Sequence, residues 1–214
     1  MTTPADTGGR DPLPGGLNGV AAQLRSLAPS CGPVRLVGVD GHAGSGKSTL
    51  ATRLAALLGG APVLRLDDLA SHDALFAWTD RLERTVLGPL SRGEVAHHPV
   101  YDWERRAFTA TAALPPAPVV LVEGVGAGRR ALRPHLACLI WLAVPAEVAW
   151  ARGRRRDGSG QAGFWRTWEA AERRHFADDP SRPFADILMT PRGDSYDACT
   201  RAPSGPRGRQ RSSP

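Results

Sequence analysis

Among the 27 basic residues of this chain there is one lysine, Lys47; the other 26 are arginines. Arginine and lysine exchange readily on a solvated surface but not where a compact ammonium must fit a tight space, so Lys47 marks a place where chemistry restricts the choice. It lies in Gly41-His42-Ala43-Gly44-Ser45-Gly46-Lys47-Ser48, which satisfies G-x-x-x-x-G-K-[ST] at every fixed position. Glycines at that spacing let the backbone wrap closely, with its N–H groups aimed at phosphate oxygens. The following helix start adds its positive end. The pattern assigns Gly41 to Ser48, and Thr49 beside them, to nucleotide binding, with Lys47 reaching the β- and γ-phosphates and Ser48 a ligand of Mg²⁺. His42 occupies a variable position and reads as loop filler.

Other residues carry compatible chemistry. Glu123 ends the apolar run Val119-Val120-Leu121-Val122, where an acid can hold Mg²⁺ or its waters, or cap a turn. Asp67 and Asp68 follow a second short apolar segment. A carboxylate there can take the proton of a hydroxyl attacking a γ-phosphate, and either Asp can equally cap the next helix. Arg152, Arg154, Arg155 and Arg156, then Asp157 and a glycine-rich break, suit a segment that closes over phosphates or a basic helix end. Tyr101-Asp102-Trp103 suits a flat, hydroxylated ligand or a core position. His97-His98 has no matching ligands elsewhere and makes no convincing metal site.

The elements that must position these residues read as alternating strands and helices. Val34–Val39, Pro62–Leu66, Val119–Val122, Cys138–Val144 and Ile187–Met189 are expected strands; 48–58, 72–87, 147–156 and 164–177 are expected helices. The stretch 88–117, with Pro89, Gly93, Pro99, Pro115 and Pro116, reads as irregular. This alternation implies an α/β fold: a central parallel sheet flanked by helices in three layers, with a short lid at about 152–164. The domain is expected over 17–194, with residues 1–16 a disordered N-terminus and 195–214 a disordered basic tail.

Composition bounds the function. The 214 residues, 42% hydrophobic and 22% charged, suit one folded domain and exclude wholesale disorder. No apolar run reaches membrane-spanning length, no secretory leader is evident, and three scattered cysteines form no disulfide framework. A cytoplasmic protein with no membrane partner is expected. The net charge of +6 falls to +2 without the four arginines after Thr200, so nucleic acid is not an expected partner. Oligomeric state is not written in these features.

With these residues in place, the chain resembles the uridine kinase branch of the P-loop kinases, a group that includes pantothenate kinase and phosphoribulokinase. The likeness runs from about Pro33 to Gly193. Leu66-Asp67-Asp68 resembles the D-x-F-Y element, whose first acid is the general base; this implies that role for Asp67 and a substrate contact for Asp68. Pro99-Val100-Tyr101-Asp102-Trp103 resembles the P-x-Y-D-F substrate segment, implying acceptor contacts for Tyr101, Asp102 and Trp103. Val122-Glu123-Gly124 resembles a hydrophobic-E-G element. Arg152 and Arg156-Asp157 resemble the lid pattern R…R-D, implying that both arginines act on phosphate. Phe184-Ala185-Asp186-Ile187 with Pro191-Arg192-Gly193 resembles the closing strand.

The resemblance implies an ATP- and Mg²⁺-dependent kinase acting on a hydroxyl of a small molecule, a nucleoside first of all. Leu69-Ala70 replaces an aromatic pair, and no histidine follows the Tyr-Asp-Trp segment. These departures fall on the nucleoside side and leave open a non-nucleoside acceptor such as pantothenate. A P-loop ATPase or nucleotide switch without kinase activity is the other class. A guanine-reading N-K-x-D motif is excluded, because Lys47 is the only lysine.

Overall fold

The computed structural model describes residues 9–201. Strand β1 (Arg10–Leu13) and helix α1 (Gly16–Ser26) precede the first central strand, β2 (Arg35–Asp40). Helix α2 (Lys47–Leu57) and strand β3 (Val63–Arg65) follow. A helical stretch runs through α3 (Thr79–Leu82), a π-turn over Glu83–Leu87 and α4 (Gly88–Ser91). Strands β4 (Ala96–Asp102) and β5 (Ala107–Leu114) form a separate hairpin. The chain then gives β6 (Val119–Glu123), β7 (Cys138–Leu142), α5 (Ala146–Asp157), α6 (Ala162–Asp178), β8 (Ile187–Arg192) and β9 (Ser195–Arg201).

The main sheet has the order β1-β9-β8-β7-β2-β6-β3. The five strands from β8 to β3 run parallel; β9 and β1 are antiparallel additions at one edge. Alternation along the central strands supplies two cores. Val37 and Val39 of β2 and Leu121 of β6 join Leu24 of α1 with Leu50 and Leu54 of α2. Leu36 of β2 with Val120 and Val122 of β6 joins Trp78, Leu82, Val86 and Leu90 on the opposite face. A sheet buried on both faces requires this near-continuous apolar composition, and the result is the three-layer α/β architecture expected from the sequence. A smaller aromatic core unites Trp150 of α5 with Trp165 and Trp168 of α6.

The structure departs from the sequence reading in three places. The helix expected over 72–87 begins only at Thr79. Its apolar residues serve two cores: Leu75 and Phe76 pack with the aromatic residues of α5 and α6, whereas Trp78, Leu82 and Val86 pack against the sheet. A single helical face cannot do both, so the chain turns at 71–74, closed by bonds between Ser71 and Ala74. The stretch 88–117 is not irregular, since it contains α4 and the β4–β5 hairpin; Pro99 is tolerated because a two-stranded ribbon leaves one side of each strand unpaired.

The third departure concerns the ends. Residues 9–16 and 195–201, expected to be disordered, build β1, β9 and the start of α1. Strand β9 returns on β8 through a turn at Gly193, where φ is 55°, and β1 pairs with β9 along four residues. Asp, Ser and Ala give weak strand signals, and pairing with β8 overrides them. Residues 1–8 and 202–214, also read as disordered, lie outside the described residues. Ala198 of β9 is buried in the α1–α2 core. Ala198→Asp should therefore lower stability by about 2–3 kcal/mol, roughly 5–10 °C in Tm by calorimetry, as a buried unpaired charge does; a solvated tail would tolerate it without change.

Candidate active site

Strand β2 ends in Asp40 at the centre of the sheet, and the glycine-rich loop springs from it. Asp40 is fully buried. Its Oδ1 accepts from the N–H groups of Gly41 (2.7 Å) and Gly126 (3.0 Å), and its Oδ2 from that of Gly128 (2.8 Å). One carboxylate thus ties the loop to the segment that follows β6. Gly44 and Gly46 adopt φ of 79° and 101°, which only glycine takes up freely. Gly44 is needed for a second reason: a Cβ there would stand 2.2 Å from the Ala149 carbonyl oxygen of α5.

Lys47 begins α2 and is nearly buried; its Nζ donates to the His42 carbonyl at 3.0 Å, arching over the loop. The Ser48 hydroxyl donates to Glu123 Oε1 at 3.0 Å. Burial pushes the Glu123 carboxyl up, as does the neighbouring Asp67, while Lys47, the Ser48 bond and Arg65 oppose the rise. A desolvated carboxylate beside a serine hydroxyl fits Mg²⁺, which is held by few protein oxygens together with substrate phosphates. Among the described residues no cluster of three or more His, Cys, Asp or Glu side chains forms a metal cage.

Two cavities meet at this loop. One, of about 190 Å³, is bounded by Lys47, Ser48, Thr49, Glu123 and the glycines Gly44 and Gly46. The other, of about 430 Å³, is walled by aromatic rings: His72, Trp103, Phe164 and Trp165. Four residues line both: Ala43, Asp67, Arg156 and Trp168. Asp67 sits on a short turn after β3, its side chain exposed to the cleft. Desolvation in the cleft raises its carboxyl above the ordinary range, against the charges of Lys47, Arg156 and Arg65.

The sequence-derived residues separate on this geometry. The structure brings together the glycine-rich loop, Lys47, Ser48, Thr49, Asp67, Glu123, Trp103 and Arg156. Asp68 lies on the far side of Glu123, beside Ser48, Thr52 and Arg65. Tyr101 is buried behind Trp103, its hydroxyl 2.9 Å from His72 Nδ1, and lines neither cavity. Asp102 closes the hairpin turn, accepting from the backbone N–H groups of Glu104 (3.0 Å) and Arg105 (2.9 Å). Arg152 is exposed on α5 and lines neither cavity, whereas Arg156 faces Asp67.

Three contributors escaped sequence reasoning. His72 lines the aromatic cavity, brought there by the turn at 71–74. His42 is no loop filler: its ring is edge-on to Trp141, Trp150 and Phe176, and its Nδ1 lies 2.7 Å from Oε1 of Glu172. Glu172 is fully buried on α6. Its signal was legible, since Trp165, Trp168 and Glu172 share one face at helical spacing, and an acid in phase with two tryptophans needs partners.

No family model matches the chain. A curated uridine kinase from Borrelia hermsii (strain HS1 / DAH) is 22% identical over 188 residues, covering 77% of this chain and 89% of that protein. A solved structure described as a possible uridine kinase from Bacillus stearothermophilus superposes with a TM-score of 0.60 at 18% identity, covering 80% of this chain and 96% of that one. A provisionally named fructose transport system kinase from Silicibacter sp. TM1040 gives 0.54 at 22% identity, over 77% and 89%. The fold is that of the P-loop kinases. In sequence the chain is similar to curated uridine kinases, at 22% identity.

The geometry separates Arg152 and Arg156, which the sequence treats alike. For the phosphate role that the sequence resemblance implies for both, Arg156→Ala should lower kcat by at least about tenfold, the scale of a lost charge stabiliser. Arg152→Ala should leave kcat and the KM for ATP within about twofold. Steady-state kinetics on both variants checks this, and an equal effect would place the two side chains in one role.

Proposed function

We propose that this protein is an ATP- and Mg²⁺-dependent kinase that transfers the γ-phosphate to a hydroxyl of a small, uncharged acceptor with a flat or apolar face, a nucleoside being the first candidate. The observation that carries this reading is Asp67, a carboxylate on the boundary between the cavity of the phosphate-binding loop and the aromatic cavity. A nucleotide switch needs no second chamber of about 430 Å³ opening onto its phosphates.

In this reading the loop amides, Lys47 and the α2 N-terminus hold the phosphates. Ser48 and Glu123 would hold Mg²⁺, which would neutralise charge on the phosphate oxygens. Asp67 accepts the acceptor's hydroxyl proton as that oxygen bonds to the γ-phosphorus, and the bond to the β-phosphate oxygen breaks. Lys47 and Arg156 face the charge that develops on the transferring group. The work is positioning and neutralisation, which suits a site with no nucleophile of its own.

The second chamber also speaks to the acceptor. Aromatic side chains from the hairpin (Trp103) and from α6 (Phe164, Trp165, Trp168) line it, which suits a base or other flat group more than a bare sugar. Its charged residues include Asp67, Glu104 and Asp157 against Arg156, and Arg156 is bonded to Asp157 at 2.6 and 3.1 Å. A carboxylate-bearing acceptor such as pantothenate would meet repulsion there. A sugar acceptor is the alternative that the name of the Silicibacter neighbour suggests.

A screen of nucleosides, sugars and pantothenate with ATP and Mg²⁺, following ADP release, tests the proposal; acceptor-independent hydrolysis alone would sink it. With the acceptor in hand, Asp67→Asn should lower kcat by ~10²–10⁴-fold, the range of a lost general base, with ATP affinity nearly kept. Asp67 must be unprotonated to act, and desolvation in the cleft raises its carboxyl. The acid limb of kcat/KM should therefore lie above the ordinary carboxylate range and disappear in the Asn variant.

A further inference from the structure

Glu172 is a fully buried carboxylate that the phosphoryl-transfer chemistry above does not use. Its surroundings are specific. Oε2 accepts from the backbone N–H of Ala43 at 3.2 Å and from the indole N–H of Trp168 at 2.8 Å. Oε1 lies 2.7 Å from His42 Nδ1. Burial alone would push this carboxyl up; the bonds from His42 and Trp168 and the charge of Lys47 outweigh burial and hold it below the ordinary range. An ionised carboxylate only accepts, so His42 carries its ring proton on Nδ1.

The partners matter more than the bonds. Ala43 and Trp168 are two of the four residues that line both cavities, and a single oxygen of Glu172 holds both. Ala43 belongs to the phosphate-binding loop and Trp168 to α6. Their separation fixes one side of the passage through which an acceptor hydroxyl must reach a γ-phosphate; Asp67 and Arg156 form the rest. His42 anchors the same loop from outside, its ring enclosed by Trp141, Trp150 and Phe176.

We propose that Glu172 is a positioning residue: it clamps the phosphate-binding loop to α6 and so sets the opening between the nucleotide and acceptor cavities. The inference rests on the kinase reading for its effect on turnover, but the clamp itself is testable without it. Glutamine and methionine both approximate the volume of glutamate. Only glutamine offers a carbonyl for Ala43 and Trp168, and its amide can donate to Nδ1 of the other His42 tautomer. A residue that merely fills space is replaced equally well by either.

The test compares Glu172→Gln and Glu172→Met in the full chain by NMR-resolved amide exchange, calorimetric titration with MgADP, and kinetics once an acceptor is known. The Gln variant should stay within about threefold of wild type. In the Met variant the Ala43 amide should exchange at least about tenfold faster and MgADP should bind at least about tenfold more weakly, the scale of lost hydrogen bonds to a charged group. The Met variant should also lose kcat by more than its KM for the acceptor changes. Equal behaviour of Gln and Met overturns the proposal. If Glu172→Met does not fold, His42→Phe decides: it keeps a ring in the aromatic nest and removes one arm of the clamp, and unchanged exchange and MgADP affinity would overturn it. A wild-type protein that binds no MgADP would sink the kinase reading instead, while amide exchange still judges the clamp.

Discussion

A loop that presents several backbone N–H groups to one point is intrinsically unfavourable, because those donors and the helix end behind them repel one another until an anion arrives. The rest of the structure is organised around holding that loop open. Asp40 takes the first amide and joins it to the segment after β6. Glu172 takes the amide of Ala43 from the opposite side. Lys47 closes over the His42 carbonyl, and Ser48 leans on Glu123. Each of these groups is itself buried or placed at the end of a buried strand or helix, so the loop is held by parts that cannot yield independently.

The same arrangement explains where the second cavity lies. Helix α5 approaches the loop so closely that Gly44 has no room for a side chain, and Gly153 of α5 lies so near Trp165 that a Cβ there would stand 2.2 Å from the indole. Helices α5 and α6 are therefore fastened at their bases, α5 to the loop and the two to each other. What lies beyond, from Arg156 to Phe164, overhangs the aromatic cavity. Asp67 and Arg156 face each other there because β3 and α5 end on opposite sides of one opening.

Much of this was legible in the sequence, and the parts that were not share a cause. Strands buried on both faces announce themselves as apolar runs, and β2, β6 and β7 were read within a residue or two. The phosphate-binding loop is written in consecutive residues. By contrast, β9 is a polar strand that exists because β8 offers it an edge, and the hairpin of β4 and β5 is disguised by prolines. Tyr101, Asp102 and Trp103 are adjacent in sequence but do three things: one supports, one caps a turn and one faces the cavity. Their division of labour is set by strand alternation and by a register shift between Val100 and Tyr101. His42 and Glu172 are 130 residues apart, and nothing local in either segment names the other.

The solitary lysine has a consequence for chemistry done on the protein rather than by it. Every ε-amine reagent that acylates, alkylates or cross-links this chain has one side-chain target, and that target arches over the phosphate-binding loop. Lys47 is nearly buried, so its reactivity reports whether the loop is open, filled or distorted. A lysine-specific protease likewise meets a single bond, between Lys47 and Ser48, in the first turn of α2. Labelling and cleavage, elsewhere averages over a whole surface, here read out a single loop.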